Sequence, residues 1–218
     1  MKYLKYFENI INYNHSREHL TTLEYFNIPK YVYGDFDFSQ NNIDSLKFGP
    51  KYVGEDFFFN SNNLTSLEFG PIYVGGDFNV QYNRLTSLEH CPETVGIDFE
   101  CSYNKITSLE FMPKELNASF YCHNNQLTSL EFCPKYIYGW FNCSNNQLTS
   151  LEHCPEYIKG FFICDENNWT NVIPYNIIQK HNIQINNLYT KDQKDFFGSY
   201  EYQKEFLTNT PEKYKDLE

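Results

Sequence analysis

Basic residues are scarce in this sequence. Lysine and arginine together number 17 against 28 acidic residues, the formal net charge is −11, and Arg17 and Arg84 are the only arginines. Binding to nucleic-acid phosphate runs on clustered Lys and Arg, so this balance argues against a nucleic-acid ligand and equally against an anionic membrane. No uninterrupted apolar run is long enough to span a bilayer. The opening stretch from Met1 to Glu8 carries neither a long apolar core nor a small-residue cleavage site, so no secretory signal is read there. The expectation is a soluble protein of the cytoplasm. Alanine is nearly absent as well, Ala118 being the only one, while Asn, Tyr, Phe, Ile and Lys abound. Those residues have AT-rich codons, which points to an AT-rich genome such as that of a large virus, a phage or a protist.

What the chain has in place of these is a period. Steps of 21 residues from Phe36 land on Phe57, Phe78, Phe99, Phe120, Phe141 and Phe162. The same step from Asn41 gives Asn62, Asn83, Asn104, Asn125, Asn146 and Asn167, and from Pro29 it gives Pro50, Pro71, Pro92, Pro113, Pro134 and Pro155. Three columns hold without exception over seven copies, and no insertion breaks their phase. A fixed period of this length means a solenoid, in which each unit is buried only by its neighbours and the two ends need caps.

Each column has a physical reading. Phe36 and Phe38 alternate with polar residues, so both point inward from a short strand, and parallel strands of successive repeats stack about 4.8 Å apart. Asn41 sits where the chain leaves the strand. A buried Asn there satisfies backbone groups of its own and neighbouring turns, so the column becomes a ladder. Val32, Ile43 and Leu46 complete the core. Proline at 50 and its equivalents suits an extended outer side, since it fixes φ and lacks a donor. The prediction is an arc of parallel strands with an extended or 3-10 convex side.

The residues Phe36-x-Phe38-x-x-Asn41-x-Ile43-x-x-Leu46 resemble the L-x-L-x-x-N-x-L core of the leucine-rich-repeat family, with Phe in the first Leu position. Leu127-Thr128-Ser129-Leu130-Glu131-Phe132-Cys133-Pro134 is similar to the short repeats of secreted bacterial effectors, and related repeats occur in phage and giant-virus proteins. Here Glu replaces the first proline of the effector pair, and a Gly/Asp-rich turn precedes each strand. The resemblance implies a leucine-rich-repeat solenoid that binds proteins and carries no catalytic site. A ubiquitin-ligase effector would need a further domain with a nucleophilic Cys, and no Cys follows Cys164.

Three segments are expected: a helical N-terminal cap over residues 1–28, seven repeats over 29–175, and a C-terminal cap and tail over 176–218. Leu4, Phe7, Ile10 and Ile11 fall at helical spacing. Leu20 to Leu23 looks like the tail of a degenerate repeat whose link to Pro29 is two residues longer than in later copies. His15-Ser16-Arg17-Glu18-His19 has the spacing of an H-x-x-E-H zinc site, which needs a long helix and a distant third ligand. A polar helix end followed by a loop is the plainer reading. Beyond Trp169, Tyr175 to Gln179 reads as a helical turn, Ile183 and Ile185 as a short edge strand, and the tail from about 190 as one or two amphipathic helices. The seven cysteines follow the repeat. Cys101, Cys122, Cys143 and Cys164 take the inward column of Phe38, and Cys91, Cys133 and Cys154 precede the column proline. They read as small buried apolar residues of a reduced protein. No cofactor or metal is called for.

The surface left for function is the outward strand face, taken as the concave one. Asp35, Asp56, Asp77 and Asp98 form a carboxylate column there and Glu100 lies beside it. The last repeats present Tyr121, His123, Trp140 and Phe161. The Asp column reads either as turn-forming residues or as charges that steer a basic partner. Trp140 and Phe161 read either as hot-spot anchors or as residues covered by the C-terminal segment. The leading expectation is a non-enzymatic module that binds a partner protein with a basic surface. The alternative is a structural or self-assembling component.

Overall fold

The computed structural model describes residues 12–113, 116–164 and 166–168, together with the backbone of one further strand, Gln184–Tyr189. The expected helices over residues 4–11, 175–179 and beyond 190 lie outside the described residues.

The repeat builds a parallel β solenoid with almost no helix. One long sheet is made of two-residue strands: Tyr13–Asn14, Phe36–Asp37, Phe57–Phe58, Phe78–Asn79, Phe99–Glu100, Phe120–Tyr121 and Phe141–Asn142. Each strand pairs in parallel with the next, and like column meets like column: Phe36 lies beside Phe57, and Phe57 beside Phe78. The seven-residue strand Tyr157–Ile163 continues this sheet, and Gln184–Tyr189 pairs in parallel with it, placing Ile185 in a strand as the sequence suggested. The only 3-10 helix among the described residues is Glu24–Phe26.

The outer side is extended, and it is also paired. Tyr31–Val32, Tyr52–Val53, Tyr73–Val74 and Thr94–Val95 form a second parallel sheet. Later in the chain Tyr136–Ile137 pairs with Tyr157 and Ile158 and bridges to Leu116. The valine of each pair is buried while its neighbour stays at the surface. Between the two sheets the corner is tight. A Cβ built on Gly75 would lie 2.0 Å from the Gly54 carbonyl oxygen, so only glycine admits this stacking. In the last copies Tyr138 and Lys159 hold that column, while the bond one residue further on persists: Gly76 N–H to Glu55 O (2.9 Å) early in the chain, then Gly139 N–H to Ala118 O (3.0 Å) and Gly160 N–H to Gly139 O (2.8 Å).

The core is the set of columns foreseen. Phe36, Phe78, Phe99, Phe120, Phe141 and Phe162 are fully buried, as are Ile43, Leu64, Leu85, Val53 and Val74. Phe rings stack along the axis towards both ends of the column, at 5.6 Å and 16° for Phe36 and Phe57 and at 5.3 Å and 3° for Phe141 and Phe162, while Phe99 meets Phe120 edge to face at 77°. Each such side chain is worth about 1.5–3 kcal/mol on full burial. The Asn ladder is present in full geometry. Asn83 Nδ2 donates to Phe59 O at 3.0 Å, Val80 O at 3.1 Å and Gln81 O at 3.3 Å, and its Oδ1 accepts from Leu64 N–H at 2.9 Å. Each Asn therefore reaches back one repeat.

Residues 12–28 form a further turn of the solenoid. Tyr13 pairs with Phe36, Asn41 Oδ1 accepts from Glu18 and Leu20 N–H, and Leu23 is buried in the core. The H-x-x-E-H segment is not helical here. Arg17 and His19 have φ of 62° and 59°, in the left-handed region. The His15 ring packs 4.4 Å from Phe26 and 5.1 Å from Phe38 and faces the Glu18 carboxylate at 3.2 Å. The expected polar helix end is thus a strand and turn, and two histidines one helical turn apart are not formed.

Two columns of non-glycine residues hold left-handed backbone. The first runs Gln40, Ser61, Tyr82, Tyr103, Asn124, Asn145 and Glu166, and the second Phe48, Phe69, His90, Phe111, Phe132 and His153. A left-handed L-residue costs about 1–2 kcal/mol.

Candidate functional site

The outward face of the long sheet presents three columns, beginning at Asp35, Asp37 and Ser39. No Lys or Arg occurs at any of their positions.

The Asp column is a second ladder. Asp35 Oδ1 accepts from Asp56 N–H at 3.2 Å, Asp56 Oδ1 from Asp77 N–H at 2.8 Å, Asp77 Oδ1 from Asp98 N–H at 3.0 Å, and Asp98 Oδ1 from Ser119 N–H at 2.7 Å. Ser119 Oγ then accepts from Trp140 N–H at 3.1 Å, and Asn12 Oδ1 accepts from Asp35 N–H at 3.0 Å. What the position demands is a short side chain ending in oxygen, which Asn, Asp and Ser all supply. One oxygen of each aspartate is therefore structural. The like-charged neighbours still count. Burial pushes the Asp56 carboxyl up, the bond from Asp77 N–H pulls it down, and the Asp77 and Asp35 carboxylates add to the rise.

Glu100 is half-buried. It accepts from Asn79 Nδ2 at 2.9 Å, and burial, with help from Asp98 and Asp77, raises its carboxyl above the usual range. Tyr121, also half-buried, lies in the next strand. Its hydroxyl is pushed up first by burial and then by Asp98, Glu100 and Asp77, against the lowering effect of Ser119. The four aspartates and Glu100 form one anionic patch, with no Lys or Arg in the three columns of the face.

The aromatic residues fall into two further groups. Trp140 and Phe161 meet edge to face at 4.7 Å and 77°. Among the described residues they stay uncovered, 44% and 39% exposed. His123 stands edge-on to Tyr103 at 5.2 Å, and Tyr103 stacks on Tyr82 at 4.2 Å. The His123 Nδ1 is buried and has no hydrogen-bond partner, and burial lowers the pKa of the ring. Sequence reasoning did not single out Tyr82 and Tyr103. Both belong to the left-handed column after the strand, where two Tyr in successive copies were the available signal.

Cys91, Cys101, Cys122, Cys133, Cys143 and Cys154 are in no disulfide, and burial pushes the Cys91 thiol up to about 12 and those of Cys122, Cys143 and Cys154 well above the ordinary value. A thiol held protonated in this way is a poor nucleophile. Among the described residues no group of three or more His, Cys, Asp and Glu could hold a metal ion.

No protein-family model and no curated protein sequence matches this chain. Among solved structures it is similar to YopM from Yersinia enterocolitica WA-314, at a TM-score of 0.50 and 16% identity over 72% of this chain. The chain spans 42% of the length of that protein. The likeness concerns the fold, a leucine-rich-repeat solenoid.

Proposed function

We propose that this chain is a non-enzymatic interaction module whose long-sheet face, the concave side of the arc, binds a partner protein with a basic surface. One observation carries the reading. An uncovered Trp–Phe pair lies within the same face as a carboxylate patch that has no Lys or Arg beside it. Aromatic anchors beside uncompensated charge are the usual make-up of an interface hot spot with electrostatic steering. Trp140 and Phe161 supply apolar anchorage, and Tyr121 and His123 extend it. Asp35, Asp56, Asp77, Asp98 and Glu100 draw a basic surface toward the face. Solenoids of this fold commonly serve as binding scaffolds, which supports the class and identifies no partner. The reading places the protein in the cytoplasm, with a virus or phage as its coding source.

The test is affinity capture from the native cell type, followed by reconstitution with the purified partner. Trp140→Ala is expected to weaken binding by about tenfold or more, as hot-spot truncations do. Glu100→Gln is expected to slow association and flatten its salt dependence. A partner that binds both variants as tightly as the native chain removes this face from consideration. Recovery of the chain alone, as oligomers, favours the structural alternative.

A further inference from the structure

A second surface follows from the left-handed turn after each Leu46-type residue. Leu46 O accepts from Gly49 N–H at 2.9 Å, and the same bond recurs from Gly70, Cys91, Met112, Cys133 and Cys154 to the leucine three residues earlier. The third residue of each turn has φ between 63° and 72°. A turn with positive φ at that place takes Gly or Asn by preference. Here it holds a ring in all six copies: Phe48, Phe69, His90, Phe111, Phe132 and His153. The four phenylalanines remain 44–56% exposed, and none of the six rings contacts another. The other left-handed column is an internal control. It drifts through Gln, Ser, Tyr, Asn and Glu, so left-handed backbone alone does not select rings. Neither the turn nor the core accounts for an aromatic group in every copy.

The residue before each ring is Glu in five of the six copies, the exception being Lys47. His90 and His153 lie 3.7 Å and 3.9 Å from their own preceding glutamates. We propose that this column of turn-tip rings is a second docking surface, and that its occupant is an amphipathic helix of a partner with one apolar and one basic face. Rings spaced one per repeat take the apolar side chains, and the glutamates pair with the basic ones. The same charge decides between occupants. A second copy would set glutamate against glutamate, and an anionic membrane would be repelled. The surface shares no residue with the long-sheet face, so the proposal stands or falls independently of that reading.

The experiment uses the full chain and two synthetic amphipathic helices, one with Lys and Leu faces and one with Glu in place of Lys. Binding is read by fluorescence anisotropy and folding by thermal melting. The comparison variant carries Phe69→Asn, Phe111→Asn and Phe132→Asn. Asparagine takes left-handed backbone readily, so its melting temperature is expected to equal or exceed the native value. The native chain is expected to bind the lysine helix about tenfold more tightly than the glutamate helix, and the triple variant to lose about tenfold of that affinity. Tyr138→Ala, which removes an exposed ring that belongs to neither surface, is expected to bind the lysine helix as the native chain does. A fall in melting temperature of several degrees in the triple variant overturns the proposal, because the rings would then be structural. Unchanged binding by that variant overturns it, and so does uptake of neutral phosphatidylcholine vesicles with the lysine helix ignored.

Discussion

Replacing Asn83 by Ala tests the ladder that ties each repeat to the one before. The effect can be worked out group by group. Leu64 N–H has Asn83 Oδ1 as its acceptor and loses it outright. Phe59 O keeps a bond from Asn62 Nδ2 at 3.3 Å, and Val80 O keeps one from Asn104 Nδ2 at 3.0 Å. One buried donor is thus orphaned, at about 1–3 kcal/mol, and three carbonyls, including Gln81 O, which keeps the Ser61 N–H at 2.9 Å, are weakened but not stranded, together at about 1 kcal/mol. The sum is about 2–4 kcal/mol, against a whole-domain stability of about 5–15 kcal/mol. Urea unfolding followed by circular dichroism is the assay. With a slope of about 2 kcal/mol per molar, the midpoint should fall by about 1–2 M without a change of slope. A companion Asn83→Asp keeps the acceptor for Leu64 N–H but turns a carboxylate toward three carbonyl oxygens. That carboxyl would titrate above its unfolded value, so its stability should recover as pH falls. A loss under about 0.5 kcal/mol in Asn83→Ala, within the range of an ordinary surface change, would refute the ladder as a source of stability.

Two further outcomes follow from the same coordinates. Gly75→Ala places a methyl 2.0 Å from the Gly54 carbonyl oxygen. It should cost about 3 kcal/mol through forced backbone displacement, seen as an early thermal transition, and a neutral result would mean that the two sheets are less tightly stacked. Glu100 and Asp56 are both raised, mainly by burial, so the folded chain holds more protons than the unfolded chain between the ordinary carboxylate pKa and the raised folded values. Their contribution to stability is therefore greatest below the unfolded pKa and declines as pH rises through the folded one. Urea midpoints from pH 4 to 7 should show this decline, and Glu100→Gln should flatten it.

Much of the architecture was legible because a strict phase makes every column its own control. The core positions, the Asn ladder and the exposed face could all be read from Phe36, Asn41 and Leu46. The second sheet could not. Its strands are two residues long, so Tyr31–Val32 offers no alternation, and extended backbone looks the same paired or unpaired. The turn before Phe36 showed only its tail, Leu20 to Leu23, because its strand lies 23 residues before Phe36 at Tyr13, with a histidine, His15, standing where later copies put Phe, Val or Cys. The Asp column was read as turn-forming residues or as steering charge, and neither reading foresaw a hydrogen-bonded ladder. The substitution of Ser119 for a fifth aspartate was the clue that the oxygen, not the charge, is what each copy keeps. Trp140 and Phe161 were read either as anchors or as covered residues, and the sequence offered no way to choose, because that depends on where the C-terminal segment lies. The same reading passed over Tyr82 and Tyr103, whose stacking depends on a backbone bend that composition does not reveal.

The two ladders run in opposite senses. Each Asn reaches back to the preceding copy, while each Asp oxygen receives the amide of the following one. Each junction up to that between Ser119 and Trp140 is thus closed by one clasp from either side. A gene that gains or loses one whole 21-residue unit would lengthen or shorten the protein by a single rung, about 4.8 Å, with every remaining junction intact. The row stops where the clasp does. Trp140 offers no oxygen to the copy after it, and past that point the corner opens into the continuous strand Tyr157–Ile163. Copy number in this chain is therefore free to vary by recombination within the row, and the indole at 140 marks the boundary past which it is not.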